Sequence, residues 1–136
     1  MNKLDIFIQQ LSKLKQADFQ LAFDNEIYRF GVVIEYETAF KHACEALKEL
    51  LRIHGLNVTD SNSPRETIQL GYKHGFVNDS AVWLSMLKKR NTSVHIYDEN
   101  EVDEMLLLIR DSYIPAFSTL RDTLEEKLAE VENDLL

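Results

Sequence analysis

Apolar residues recur at intervals of three and four along nearly the whole chain, and only 4 glycines and 2 prolines stand among its 136 residues. That period lines side chains along one face of an α-helix, whereas a half-buried strand needs alternation in twos. Leu4, Phe7, Leu11 and Leu14 form the first stripe, on a helix expected to end between Asp18 and Asn25. Phe40, Ala43, Leu47 and Leu50 form a second stripe through "ETAFKHACEALKELLRIHG", with Gly55 as its natural stop. The start of this second helix admits two readings, because "GVVIEYE" joins Gly31 to the β-branched Val32, Val33 and Ile34, which also suit a strand. Helix is preferred, since one short strand would have no pairing partner.

Turn residues then gather in "NVTDSNSP", Asn57 to Pro64, which reads as a loop. Ser63-Pro64-Arg65-Glu66 supplies a capping serine, a proline where no amide donor is needed, and a glutamate three residues after the cap. The helix it opens is expected to end near Gly75. Asn78 or Asp79 is placed to cap the next one, "SAVWLSMLKKR", with Val82, Met86 and Lys89 on one face and Trp83, Leu87 and Arg90 on another. Arg90 therefore falls at a helix end. Asn100 and the acids Glu101, Asp103 and Glu104 suit the positive N-terminal end of a last helix, whose stripe is Tyr113, Phe117, Leu120, Leu124, Leu128, Val131 and Leu135. Pro115 is expected to kink that helix without ending it, because the apolar period resumes beyond it. The expected fold is all-α: an up-and-down antiparallel bundle of four to five helices in a single domain spanning residues 1–136, without internal repeats.

A content of 45% apolar residues is enough for a real core. Cys44 is the single cysteine, so no internal disulfide is possible, and its setting is that of a small buried hydrophobe in a reducing cytosol. The N-terminus "MNKLDIFIQQLSKLK" carries Asp5 and two glutamines where a signal peptide needs an uninterrupted apolar region, and no run approaches a membrane span. A soluble cytoplasmic protein is expected. The formal charge of −8 argues against broad attachment to nucleic acid or to an anionic membrane. It leaves room for a local site. Residues 84–97 hold three bases, Lys88, Lys89 and Arg90, and no acid, whereas residues 98–136 hold at least eleven acids and only Arg110, Arg121 and Lys127 as bases.

The chain has no glycine-rich phosphate loop, HExxH, paired CxxC or G-x-S-x-G. His42, Cys44 and Glu45 lie close in sequence, but positions i and i+2 face different ways on a helix and no second ligand pair matches, so no metal or cofactor is expected. His54 and His74 each precede a glycine and read as helix C-terminal caps. What remains is Arg90-Asn91-x-x-x-His95-x-Tyr97. Arg-x4-His arises by chance about 0.2 times in a chain with six arginines and four histidines. A guanidinium at a helix end and an imidazole on the following turn can converge on one phosphate, the first through paired hydrogen bonds and the second through proton transfer near neutral pH. The same residues also admit a bland reading, in which Arg90 binds the last carbonyls of its own helix and His95 caps the turn.

"WLSMLKKRNTSVHIY", with Trp83, Met86, Leu87, Arg90, Asn91, His95 and Tyr97 in that order, resembles the HEPN superfamily, whose hallmark is Arg-x(4–6)-His with a polar residue after the arginine. Within it the chain is similar to the small nucleotidyltransferase substrate-binding proteins, usually encoded beside a minimal nucleotidyltransferase. The resemblance implies a homodimer whose two motifs face a shared cleft, and two Lys88 to Arg90 clusters there would make a confined positive groove.

Two functional classes follow from the resemblance, and they can coexist. In one, the dimer is the non-catalytic half of a toxin-antitoxin-like pair, with Lys88, Lys89 and Arg90 binding phosphates of a nucleotide or RNA and the separate nucleotidyltransferase as its partner. In the other it is a metal-independent endoribonuclease, with His95 as general acid or base, Arg90 stabilising the phosphorane charge and Asn91 orienting one of them. In some such pairs the transferase modifies the tyrosine of Arg-x4-His-x-Tyr, which would make Tyr97 an acceptor of AMP; a turn tyrosine packed over the helix end is the other reading. A helical scaffold without chemistry is the remaining alternative.

Overall fold

The computed structural model describes residues 2–92 and 99–134. Within them the stripes become α1 (Lys3–Lys15), α2 (Phe19–Asp24), α3 (Glu26–Ile53), α4 (Pro64–Lys73), α5 (Ser80–Thr92), α6 (Glu99–Leu108) and α7 (Ile114–Asp134), with a π turn at Ile109–Tyr113 joining the last two into one rod. Among the described residues there is no strand. The β-branched run from Val32 to Ile34 lies inside α3, where Val32 and Val33 are buried. Burial has overridden a modest local preference.

The expected ends are mostly met. Gly55 and Gly75 follow the C-caps of α3 and α4 with φ of +79°, a left-handed backbone that glycine adopts without a Cβ penalty. The Ser63 hydroxyl accepts from the Glu66 amide while the Glu66 carboxylate accepts from the Ser63 amide, so both halves of the capping box are made. Asp79, rather than Asn78, caps α5, accepting from Val82 N–H at 3.2 Å.

Three boundaries differ from expectation. The N-terminal helix stops at Lys15, because the Asp18 carboxylate accepts from Leu21 N–H at 3.0 Å and opens the separate helix α2. Arg29, in the first turn of α3, then donates to the carbonyls of Ala22 and Phe23 and ties off the end of α2. α6 begins at Glu99, so Asn100 falls within its first turn and does not precede it. The Pro115 interruption takes the form of the π turn, with Ile114 N–H donating to the Ile109 carbonyl five residues back. Proline has no amide for the carbonyl four residues earlier and its ring crowds that carbonyl, so a wider turn lets the helix continue.

Side-chain pairs fix how the helices run. Lys3 meets Glu45 at 3.7 Å and Lys13 meets Glu35 at 3.8 Å, so α1 and α3 are antiparallel. The Tyr36 hydroxyl reaches Met86 and the Phe40 ring lies against Trp83, so α5 is antiparallel to α3; Trp83 on Phe117 and Ser85 on Tyr113 make it antiparallel to α7. α1, α3, α5 and α7 thus form the up-and-down bundle, with α4 packed on α3 and α5. The predicted stripes fill its core. Leu4, Phe7, Leu11 and Leu14 from α1 and Phe117, Leu120 and Leu124 from α7 are all buried. Leu128 packs against this core from the margin, and Leu135 lies outside the described residues. Cys44 is buried, as a small hydrophobe would be.

The capping box makes a pH-dependent prediction. Backbone and side-chain hydrogen bonds from Ser63 hold the Glu66 carboxyl below the usual carboxylate range. A group whose pKa is lowered by folding adds stability above its unfolded pKa and loses it as pH falls through the folded one. Ser63→Ala is therefore expected to lower the melting temperature by a few degrees at neutral pH, and the gap from wild type is expected to narrow in acid. Thermal melts of both proteins across that range check it, and a gap that does not change with pH would contradict it.

Candidate functional site

The cationic run lies on the last two turns of α5, as its sequence position implied. Lys88 is exposed and Lys89 half-buried. Consecutive helix residues point about 100° apart, so the two ammonium groups leave the helix on different faces. The backbone of Arg90 and Asn91 belongs to the final turn, since α5 continues to Thr92. His95 and Tyr97 lie outside the described residues. The end of a helix presents carbonyls and the negative pole of its dipole, which favours cations there. The helix's own amides are turned away from this end, so α5 itself offers an anion only its side chains.

What holds this end of α5 is visible in the core beneath it. Tyr36 is wholly buried and donates its hydroxyl to the Met86 carbonyl at 3.1 Å. In a regular helix that carbonyl also accepts from the amide of residue 90, so the tyrosine braces the turn that carries the arginine. Tyr36 stacks on Tyr113 with ring centroids 5.3 Å apart and planes 21° from parallel, and the Tyr113 hydroxyl lies 2.7 Å from Ser85 Oγ. Burial pushes the Tyr113 phenol above its ordinary pKa, against the opposing effect of the Ser85 hydrogen bond, so it stays neutral and able to donate. Trp83, packed edge-on to Phe117 at 5.6 Å, anchors the same helix one turn earlier. Met86 and Leu87 are buried with it.

None of Tyr36, Ser85 and Tyr113 was singled out by motif. Tyr113 stood in the sequence only as one member of the apolar stripe, and Tyr36 only inside the ambiguous "GVVIEYE". A usable signal was the tyrosine hydroxyl itself, because a phenol on an apolar stripe needs a hydrogen-bond partner when it is buried.

The three described histidines take places in the helical framework. His54 is the C-cap of α3, and its ring Nε2 lies 2.9 Å from the Lys127 carbonyl, so it ties α3 to α7 rather than closing its own helix. His74 holds the C-cap of α4. His42 Nδ1 lies 3.7 Å from Glu45, too long for a hydrogen bond. Among the described residues no group of three His, Cys, Asp or Glu side chains is placed to hold a metal ion, and no helix is long and apolar enough to cross a membrane.

These features hold α5 in the core at Trp83, Met86 and Leu87, with Lys88 and Lys89 next along the helix. Comparison with protein families finds that the model described as "Nucleotidyltransferase substrate binding protein like" matches residues 2–126. A comparison with curated proteins finds no match.

The brace is open to test. Tyr36→Phe removes one donor from a buried carbonyl and is expected to cost about 1 kcal/mol. It is also expected to speed amide exchange in the last two turns of α5 more than in α1. Chemical denaturation with hydrogen exchange by mass spectrometry checks both, and an evenly spread loss of protection would show that the tyrosine does not single out this end.

Proposed function

This chain belongs to the nucleotidyltransferase substrate binding protein like family, the HEPN-like partners of nucleotidyltransferases, and on that footing we propose that it acts in the cytoplasm as a homodimer paired with a separately encoded minimal nucleotidyltransferase. In this reading the dimer binds phosphates of a nucleotide or RNA in a cleft that contains the end of α5 from each subunit, and the two proteins form a toxin-antitoxin-like pair. The observation that supports it best is the core-braced end of α5, which carries Lys88, Lys89 and the backbone of Arg90 on its last two turns in an otherwise acidic chain. Coulomb attraction between this confined positive region and a polyanion is local, and it falls with added salt.

The chemistry assigned to the motif is a transesterification within the RNA strand and needs no metal or cofactor. His95 takes the proton of a ribose 2′-hydroxyl as that oxygen attacks the adjacent phosphorus, or returns a proton to the departing 5′-oxygen as the P–O bond breaks, leaving a 2′,3′-cyclic phosphate. Arg90 balances charge on the crowded phosphorane and Asn91 orients one of the two. Tyr97 is the proposed acceptor when the transferase modifies its partner. The binding-only reading keeps the same residues: Arg90, Lys88 and Lys89 hold the phosphates and His95 positions them.

The deciding experiment incubates RNA with the purified protein in excess EDTA, beside Arg90→Ala and His95→Ala shown to fold and to keep the same mass in solution. Cleavage by wild type that leaves cyclic-phosphate ends, reduced by roughly a hundredfold or more in each variant, is the outcome expected of the nuclease. If none of the three cleaves, retained RNA or nucleotide binding that Arg90→Ala weakens would support the substrate-binding role. Neither cleavage nor binding would overturn the proposal.

A further inference from the structure

A cavity of about 310 Å³ lies between the first turn of α5 and the start of α7, at the opposite end of α5 from its cationic residues. Small-molecule sites begin at roughly this size, near 300 Å³. At about 1.5 Å per residue, Asp79 stands on the order of 13 Å from Lys88 along the helix axis, so the cavity is separate from the motif already described.

Local packing explains the gap. Ser112, Pro115, Ala116 and Thr119 all line it, at intervals of three and four residues along the rod formed by the π turn and α7. None of the four is long enough to fill the space opposite Val82 and Trp83 of α5. On a third side the amides of Phe76 and Val77 both return to the Gly71 carbonyl, at 2.8 and 3.1 Å, which holds the connector against the end of α4. The floor is therefore apolar and largely aromatic: Phe76, Val77, Trp83 and Leu120 are each no more than 3% exposed.

Polar groups stand around this floor. Asp79 is the single ionisable residue of the lining. One of its oxygens accepts from Val82 N–H at 3.2 Å, and among the described residues it has no cationic partner. The Asn78 amide and the Ser112 hydroxyl make no hydrogen bond within the described residues. Thr119 donates to the Pro115 carbonyl at 3.1 Å and keeps its lone pairs.

We infer that this cavity binds a small organic cation made of one aromatic ring and a short amine arm. The ring rests on Trp83 and Phe76, where it leaves water and gains ring contacts. The ammonium donates to the second carboxylate oxygen of Asp79, and the Asn78 carbonyl and Ser112 hydroxyl accept its remaining protons. Charge sets the selectivity. An anion of the same size meets the Asp79 carboxylate, and a neutral alcohol lacks the charge-assisted bond.

Trp83 is the only tryptophan of the chain, so its fluorescence reports on the cavity. Phenethylamine titrated into the full-length protein at neutral pH is expected to change that emission saturably, with half-saturation at about 1 mM or below. Phenethyl alcohol and phenylpropionate are expected to bind about tenfold more weakly or worse. Asp79→Asn keeps the helix cap, which asparagine serves as well as aspartate, and is expected to weaken the amine about tenfold while leaving the alcohol unchanged. Ala116→Leu fills the cavity and is expected to abolish the response to both. No saturable change, equal binding of the three probes, or amine binding indifferent to Asp79→Asn would each overturn the site. Those three outcomes are read on wild type and Asp79→Asn alone, so they decide the matter even if Ala116→Leu does not fold.

Discussion

Four helices meet on Phe117. Phe7 from α1 lies edge-on to its ring at 6.0 Å, Trp83 from α5 edge-on at 5.6 Å, and Tyr36 from α3 tilted at 6.1 Å. Aromatic contacts of this kind combine a large buried area with a preferred orientation, so they fix the rotation of each helix as well as its distance. Everything described at the end of α5 depends on this. The Trp83 contact sets the helix's rotation, and that rotation brings Ser85 to Tyr113 and the Met86 carbonyl to Tyr36.

The sequence conveyed most of the architecture because the signals for it are local. Stripes at three and four residues, a serine and glutamate flanking a proline, and glycine after a histidine each have one favoured backbone solution, and the chain adopts it at Leu4 to Leu14, at Ser63 to Glu66 and at Gly55. Where local signals competed, the outcome needed tertiary information. Asp18 is as able to cap a new helix as to sit beyond an old one, and the choice depends on Tyr28, whose hydroxyl accepts the Asp18 amide at 2.8 Å, and on Arg29 closing α2 from the next helix. Val32 and Val33 were ambiguous for the same reason. Their burial within a bundle decides the conformation that their branching leaves open.

The candidate site was legible in a different way. Arg90, Asn91 and the two lysines could be found by charge and spacing, because those properties are written along the chain. Their support could not. Tyr36 and Tyr113 are 77 positions apart, and nothing in the periodic pattern says that two members of apolar stripes will stack and then divide their hydroxyls between a carbonyl and a serine of one helix. Such pairings belong to the three-dimensional packing. They also show why an acidic protein can keep a basic end in place: the brace is made of neutral buried groups, which salt does not screen.

The π turn before Pro115 carries a consequence for inheritance. A π turn holds one residue more than the α-helical turn it replaces. Deleting a single residue between Ile109 and Tyr113 would therefore give an ordinary α-helical turn with the helix faces before and after it still in phase. Val102, Met105 and Leu106, which are buried against the rest of the chain, would stay in the core together with Phe117. Length in this segment is thus free to differ by one residue, and relatives that lack the extra residue and the proline could keep the Phe117 junction without rebuilding the α6 face.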